Sequence, residues 1–422
     1  MNALECSRFG LKRLREENMS DVAPVQEQSR IKSLDVMRGF AVLGILIVNA
    51  AYFAAPWQTG LNPSLPPLAV TEETLWSWFI MHVFFEFKCI TLFSLLFGVS
   101  IYLVGGERED KARGALLRSR LFWLLIFGLI HATLIWNGDI LVTYALTGFL
   151  VMLARSWSPR ALLMVGVLLL IVSIGIQSMF ALFMDFIPAP KLAEIEAQIY
   201  TPAPETIQAT IAAYQAGVLS AVQENVSTWL EFLSNSLVVL IVRTTGVMMI
   251  GLALYKLGFL SGTARAWVYG LFVMLGAAAL GVIGYQAWLN AEGGFTFRHM
   301  MAGGGFANTA LAIFGSLGYA SLLILLVKAG ARFITEPLAA VGRMAFTNYL
   351  TQSLIMTTIF WGGRGFGLYG EVDRPTLIGI VVAIWVLQLI WSPLWLARFQ
   401  MGPFEWIWRR LSYGRPVAMA KT

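Results

Sequence analysis

Ten apolar stretches, each about as long as a bilayer is thick, constrain this chain more than any other feature of it. A helix rises about 1.5 Å per residue, so roughly 20 apolar residues cross the hydrocarbon core. Such windows fall at 36–55, 74–105, 115–135, 139–155, 160–184, 233–257, 264–288, 307–328, 340–361 and 376–397. Apolar residues make up 58% of the chain and charged ones 13%, where soluble domains hold about a quarter charged. A water-soluble globule is therefore excluded, and so is disorder. Two cysteines, Cys6 and Cys89, cannot make a disulfide framework. The expected fold is an all-α polytopic membrane helix bundle of about ten transmembrane helices, with both termini cytoplasmic.

The orientation follows from where the Lys and Arg residues fall. Alternating the loops from an inside N-terminus puts 24 of the 30 on the inner side. Four (Lys191, Arg298, Arg364 and Arg374) fall outside, and two (Lys88 and Arg243) lie within spans. That asymmetry is the positive-inside pattern. It accounts for the net charge of +6 without any nucleic acid. The expected divisions are a tail at 1–35, a five-helix half at 36–184, an extracytoplasmic helical loop at 185–232, a second five-helix half at 233–397, and a basic tail at 398–422. The first 30 residues are polar, so no cleaved signal peptide is expected. Met19 is an alternative start, which would leave residues 1–18 outside the native protein.

The loop at 185–232 reads as two short helices split at Thr201-Pro-Ala-Pro204. Ile207, Ile211, Tyr214, Val218 and Val222 give the second one an apolar face, as a cap over the bundle or in the headgroup plane requires. The second span, 32 residues long, must tilt, kink or project. Only Asn137-Gly138 joins the third and fourth spans, which form an antiparallel hairpin.

Polar residues at membrane depth are costly, so each one is a functional candidate. The hairpin brings His131 and Asp139 to one height near the outer face. A carboxylate that orients an imidazole makes it a competent general base, although Asp139 serves equally as a helix cap. Asn49, near the outer end of the first span, either donates to an oxyanion or ties helices together. Arg243 needs a partner, and Asp139, Glu86 or an anionic substrate group would serve. Glu86 and Lys88 are two apart on a helix, so each needs its own partner. His82, one turn above Glu86, is a second candidate base or a satisfied interior histidine. Arg298-His299 precedes Gly303-Gly304-Gly305, whose flexible backbone would suit a closing segment or an ordinary turn. No CxxC, HExxH or acidic cluster points to a metal, and no Gly-x-Ser-x-Gly elbow is present.

Five segments, in order, carry a family resemblance. They are RIKSLDVMRGFAVLGILIVNA (30–50), FKCITLFSLLFG (87–98), GLIHATLIWNGDIL (128–141), GRMAFTNYLTQSL (342–354) and GPFEWIWRRLSYG (402–414). The chain resembles the YeiB family of bacterial inner-membrane proteins, with its C-terminal domain of unknown function. That family is similar to the transmembrane acyltransferases, which include the lysosomal heparan-glucosaminide acetyltransferase. They share the run Leu34, Asp35, Arg38 and Gly39, which leads into a span ending in Asn. The resemblance implies transfer of an acyl group from cytoplasmic acyl-CoA to a small-molecule or glycan acceptor across the membrane, with Asn49 at the acyltransferase asparagine. The lysosomal enzyme has its catalytic histidine after the first span, where residues 50–73 here contain none. His131 replaces it, in the family's own His-x(4)-Trp-Asn/Asp-Gly-Asp motif.

The expectation is thus an acyltransferase of the bacterial cytoplasmic membrane, surrounded by lipid, with a homodimer as one option for its assembly, acyl-CoA as co-substrate and no metal. Its catalytic residues are His131, Asp139 and Asn49. Arg243, Glu86, Lys88 and Trp136 bind substrate, and a rim of Arg38, Arg118, Arg120 and Arg343, or Arg409, meets the phosphates of acyl-CoA. The rival is a proton-coupled transporter or flippase for a small anionic or lipidic solute. The sequence lacks paired Gly/Pro-broken helices in its two halves, which weighs against that rival.

Overall fold

The structure is a computed structural model and describes residues 30–421. The alternative start at Met19, Cys6 and residues 1–29 of the expected tail lie outside the described residues. Helices dominate, and the described residues pair as strand only in one isolated bridge, Phe399 with Ala420. Among the described residues eight helices are long and apolar enough to span a membrane. They are α1 (Lys32–Ala54), α2 (Leu75–Gly105), α3 (Lys111–Ile135), α5 (Pro159–Phe186), α8 (Val218–Lys256), α9 (Ala266–Glu292), α10 (Gly305–Lys328) and α13 (Arg374–Arg398). Between them stand α4 (Leu141–Ala154), α6 (Ala189–Ile199), α7 (Pro204–Gln215), α11 (Arg332–Arg343) and α12 (Ala345–Phe360), and α14 (Pro403–Tyr413) closes the chain. The chain is an all-α polytopic membrane bundle.

Burial sorts the helices into layers. In α1, 72% of the apolar window is buried, against 22% in α5 and α9. The first therefore runs through the middle, and the other two present their apolar residues outward, as lipid-facing helices do. Small residues let the inner helices touch. A Cβ on Gly98 of α2 would lie 2.0 Å from the Met248 carbonyl oxygen of α8, and one on Gly251 of α8 would lie 2.1 Å from the Leu95 oxygen of α2. Only glycine permits that approach.

Two expected spans are shorter than expected, each for a physical reason. The fourth is the 14-residue α4, about 21 Å long and short of a roughly 30 Å hydrocarbon core. The α3–α4 turn consequently dips into the bundle. The ninth, expected at 340–361, is cut at Met344. There the Glu405 carboxylate of α14 accepts the N–H groups of Phe346 at 2.8 Å and Thr347 at 3.0 Å, giving α12 a separate, capped start.

The sixth helix is longer than expected, because nothing between Gly217 and Lys256 breaks it and α8 runs on for 39 residues. The end of the expected loop is therefore continuous with a span. With α6 and α7 it forms a cap, seated by buried Ile207, Ile211 and Tyr214, whose ring stacks on Tyr369 at 4.3 Å. Val218, expected on the same face, is exposed.

Candidate functional site

Among the described residues two helical segments end in π-turns, Met81–Phe85 and His131–Ile135, and a third π-turn, Met300–Gly304, leads into α10. A π-turn frees backbone carbonyls that must find partners in an apolar interior, and such turns concentrate at functional sites. At the second, Asn225 Nδ2 reaches the carbonyls of Ala132 (2.8 Å) and Thr133 (3.1 Å), while Arg364 takes that of Leu134. The widened turn is thereby fixed, with His131 inside the bundle and 1% exposed.

His131 stands in a line of three side chains. Its Nδ1 lies 2.9 Å from Asp139 Oδ1, and its Nε2 lies 2.9 Å from Ser353 Oγ on α12. The other Asp139 oxygen accepts the Val142 N–H of α4 at 2.7 Å. The sequence offered Asp139 either as orienter or as cap, and one carboxylate does both. The Tyr349 ring lies 5.2 Å from the imidazole. Trp136 meets the imidazole edge-on at 6.4 Å and stacks on Phe53 at 3.9 Å. Two buried donors stand beside the line: Trp136 Nε1 has no hydrogen-bond partner among the described residues, and the Tyr349 hydroxyl has only the Ile140 backbone against its oxygen.

A cavity of about 550 Å³ adjoins this line under the cap. Asn49, Tyr52, Trp136, Asn137 and Gly138 line it, together with Glu231 and Asn235 of α8. His131 is not part of the wall, and the Trp136 indole separates it from the space. Asn49 therefore shares the cavity with Trp136 but makes no hydrogen bond to His131.

Glu86, Lys88 and His82 form a second cluster. The α2 helix breaks at Phe87, whose φ of 62° is left-handed, so the reasoning that holds residues two apart on separate faces does not apply. His82 Nδ1 lies 2.5 Å from Glu86 Oε2. The fully buried Lys88 ammonium reaches back to the His82 carbonyl at 2.9 Å and also meets Asn308 Oδ1. Asn308 Nδ2 donates to Glu86 at 3.2 Å, so one amide links anion and cation. Arg243 joins neither cluster. Its guanidinium makes long contacts, 3.3 and 3.4 Å, to the Thr309 carbonyl and lies over the Phe87 ring.

At the end of the bundle opposite the cap, arginines gather. Arg38 donates to Asp35 and Ser100, both at 2.9 Å. Arg120 lies over Trp408 of α14 at 4.2 Å, within the field of Arg38 and Arg409. Arg343 reaches the Gln400 carbonyl. Burial pushes the Arg30 guanidinium below its ordinary value, and Arg409, Arg343 and Arg38 add to the effect against the opposing Asp35. Arg118 stands apart, exposed and turned toward Arg155. Arg298, at the capped end, is paired with Asp185. Among the described residues no three His, Cys, Asp or Glu side chains converge as metal ligands.

Sequence reasoning passed over Ser353, Tyr349 and Asn308. A signal existed for the first two, because Asn348, Tyr349, Gln352 and Ser353 form a polar stripe at helical spacing inside an apolar span. Asn308 had no such signal, since only the break in α2 makes it a bridge.

These features define a polytopic helical membrane protein with a histidine–carboxylate–hydroxyl line buried at membrane depth. Residues 254–415 match the family described as a protein of unknown function, DUF418. The chain is 32% identical to the uncharacterized protein YxaH of Bacillus subtilis (strain 168), over 95% of its own length and 99% of that protein. It is equally 32% identical to the uncharacterized protein YeiB of Escherichia coli (strain K12), over 90% of its length and 95% of that protein. A 39.9 kDa protein from the amylase 3' region of Bacillus acidopullulyticus is 29% identical over 94% of this chain. No solved structure matches. The chain belongs to the YeiB family.

Proposed function

We propose that this protein is an integral-membrane acyltransferase that passes an acyl group from acyl-CoA to a small-molecule or glycan acceptor. The observation that carries the reading is the line Asp139–His131–Ser353. An ionised carboxylate accepts but does not donate, so it fixes the imidazole proton on Nδ1 and leaves Nε2 bare as a base. That is the arrangement acyl transfer to a hydroxyl or amine requires.

The arginine-rich end is then the cytoplasmic side of the bacterial inner membrane, with both termini there. Arg38, Arg120, Arg343 and Arg409 meet the phosphates of acyl-CoA, and Arg118 stands too far round to join them. His131 lies 11 residues beyond Arg120 on α3, about 16 Å along the axis. An extended pantetheine arm bridges that distance. The acceptor occupies the cavity under the cap, beside Asn49 and Trp136. One donor beside a developing oxyanion contributes about 10²–10³-fold.

The test is detergent-purified protein incubated with acetyl-CoA, with CoA binding and free CoA release measured for the wild type and His131→Ala. Binding, with release that depends on His131, supports the reading. No binding and no release removes it.

A second reading, a proton-coupled transporter, draws on the break in α2. A span interrupted at Glu86–Phe87, with His82, Lys88 and Asn308 around the break, resembles the discontinuous helices of transporters. The break is not at Gly or Pro, which is why the sequence did not suggest it. This reading gains if the thioester test fails.

A further inference from the structure

We infer that Ser353 is a covalent nucleophile and that transfer passes through an acyl-serine; this rests on the acyltransferase reading. Serines and threonines inside helices normally give their hydroxyl to the carbonyl four residues back. In this protein Ser94, Ser100, Thr357 and Thr358 do so at 2.8–2.9 Å. Ser353 departs from them. Its oxygen is 3.4 Å from the Tyr349 carbonyl and 2.9 Å from His131 Nε2. With the Nδ1 proton committed to Asp139, Nε2 can only accept, so the Ser353 hydroxyl donates to it. Each atom is then in place for the hydroxyl to lose its proton as it attacks.

The step balances without any further reagent. Ser353 Oγ bonds to the thioester carbonyl carbon and its proton moves to His131 Nε2. The carbon–sulfur bond breaks, and the thiolate takes that proton and leaves as free CoA. In the second half an acceptor hydroxyl or amine gives its proton to Nε2 and attacks the ester carbon, the bond from that carbon to Oγ breaks, and the leaving Ser353 Oγ takes the proton from Nε2. Trp136 Nε1, which has no partner among the described residues, and the Tyr349 hydroxyl, whose oxygen meets only the Ile140 backbone, flank the reacting centre and are the donors available to the tetrahedral oxyanion. Trp136 also lines the cavity, so it bounds the acceptor as well.

The experiment uses the full chain in detergent with acetyl-CoA and no acceptor. After an acid quench, the peptide carrying Ser353 is examined by mass spectrometry, beside a single-turnover record of CoA release. The expected result is one acetyl group on Ser353 and a burst of about one CoA per chain. Ser353→Ala abolishes both, lowering CoA release by about 10²-fold or more. Ser353→Cys moves the acetyl group to sulfur. A fluorophosphonate probe labels Ser353 in the wild type and not in His131→Ala. Unmodified Ser353 in a wild type that turns over acetyl-CoA overturns the covalent step while leaving the acyltransferase. Release that is undiminished in Ser353→Ala does the same. A wild type that neither binds nor cleaves acetyl-CoA overturns the acyltransferase reading itself. The wild-type peptide decides even if Ser353→Ala fails to fold.

Discussion

Two buried clusters in this protein are built from the same parts and differ in what stands opposite the imidazole. Each has a histidine in a π-turn bonded through Nδ1 to a carboxylate, at 2.9 Å for His131 and 2.5 Å for His82. Each histidine also packs near a tryptophan, Trp136 or Trp78. At His131 the second nitrogen meets the Ser353 hydroxyl. At His82 it has no hydrogen-bond partner among the described residues, and the ring lies flat under Trp78 with centroids 4.8 Å apart. The His82 cluster instead turns inward, its carboxylate joined through Asn308 to a buried ammonium that closes the broken end of α2. A histidine–carboxylate pair at membrane depth is therefore not a site in itself. Under the proposed acyl transfer, a hydroxyl in line and a cavity alongside mark one pair for chemistry, and a captive lysine marks the other for holding a helix break together.

The largest expected effect separates the two directly. His131→Ala should lower CoA release by about 10²–10⁴-fold, the range for loss of a general base. His82→Ala should leave release within a few-fold and show its cost in thermal unfolding. Equal kinetic losses in the two variants would erase the distinction.

The next effect belongs to the ionic cluster. Lys88→Met leaves Glu86 with only His82 and Asn308 and should cost about 3–5 kcal/mol, as removal of one partner from a buried pair does. Removing both charges, in Lys88→Met with Glu86→Gln, should cost less than Lys88→Met alone, because the uncompensated ion is gone. Unfolding in detergent measures both. Additive losses would mean that the two charges do not communicate through Asn308.

How much of this was legible follows the range of each interaction. Apolar windows reveal spans because burial in lipid is a property of a whole segment, so α1, α3, α10 and α13 lie near where hydropathy puts them. The His131–Asp139 pair was legible because a two-residue turn leaves the chain few ways to run. What escaped depends on distant residues. Glu405 cuts α12 from a position 58 residues downstream of Thr347. Ser353 meets His131 across 222 residues of sequence. The break at Phe87 has neither Gly nor Pro to announce it, and its support comes from Asn308 and from Tyr319, which donates to the Phe84 carbonyl. The arginine rim was only partly legible. Net charge by loop cannot tell Arg118, which faces out, from Arg120 two residues on, which faces Trp408.

A smaller effect tests the wall between cavity and histidine. A Cβ on Gly138 would lie 2.2 Å from the Trp136 ring, so Gly138→Ala must displace the indole. Overpacking of this kind costs about 1–3 kcal/mol. If Trp136 separates His131 from the acceptor space, CoA hydrolysis without acceptor should rise as water gains access, while the His82 cluster is untouched. Unchanged hydrolysis with a displaced indole would mean that Trp136 does not guard the site.

The smallest effect concerns the helix that carries Ser353. Glu405 caps α12 from outside the spans, so it bears on the His131 line and not on the His82 cluster. Burial raises its carboxyl above the ordinary value, against hydrogen bonds from Thr347 and Phe346 that lower it. A raised folded-state pKa means that the fold favours the protonated form. The stabilisation from this linkage is therefore complete below the ordinary glutamate range and lost as pH rises through the folded value. Glu405→Gln keeps an oxygen for the two N–H groups and cannot titrate, so wild-type stability should fall relative to this variant as pH rises. Glu405→Ala removes the cap at every pH and should cost about 1 kcal/mol. Thermal unfolding of the three proteins across mildly acidic to neutral pH measures the difference. A wild type that gains on Glu405→Gln as pH rises would show that the α12 N–H groups, rather than burial, govern this carboxyl.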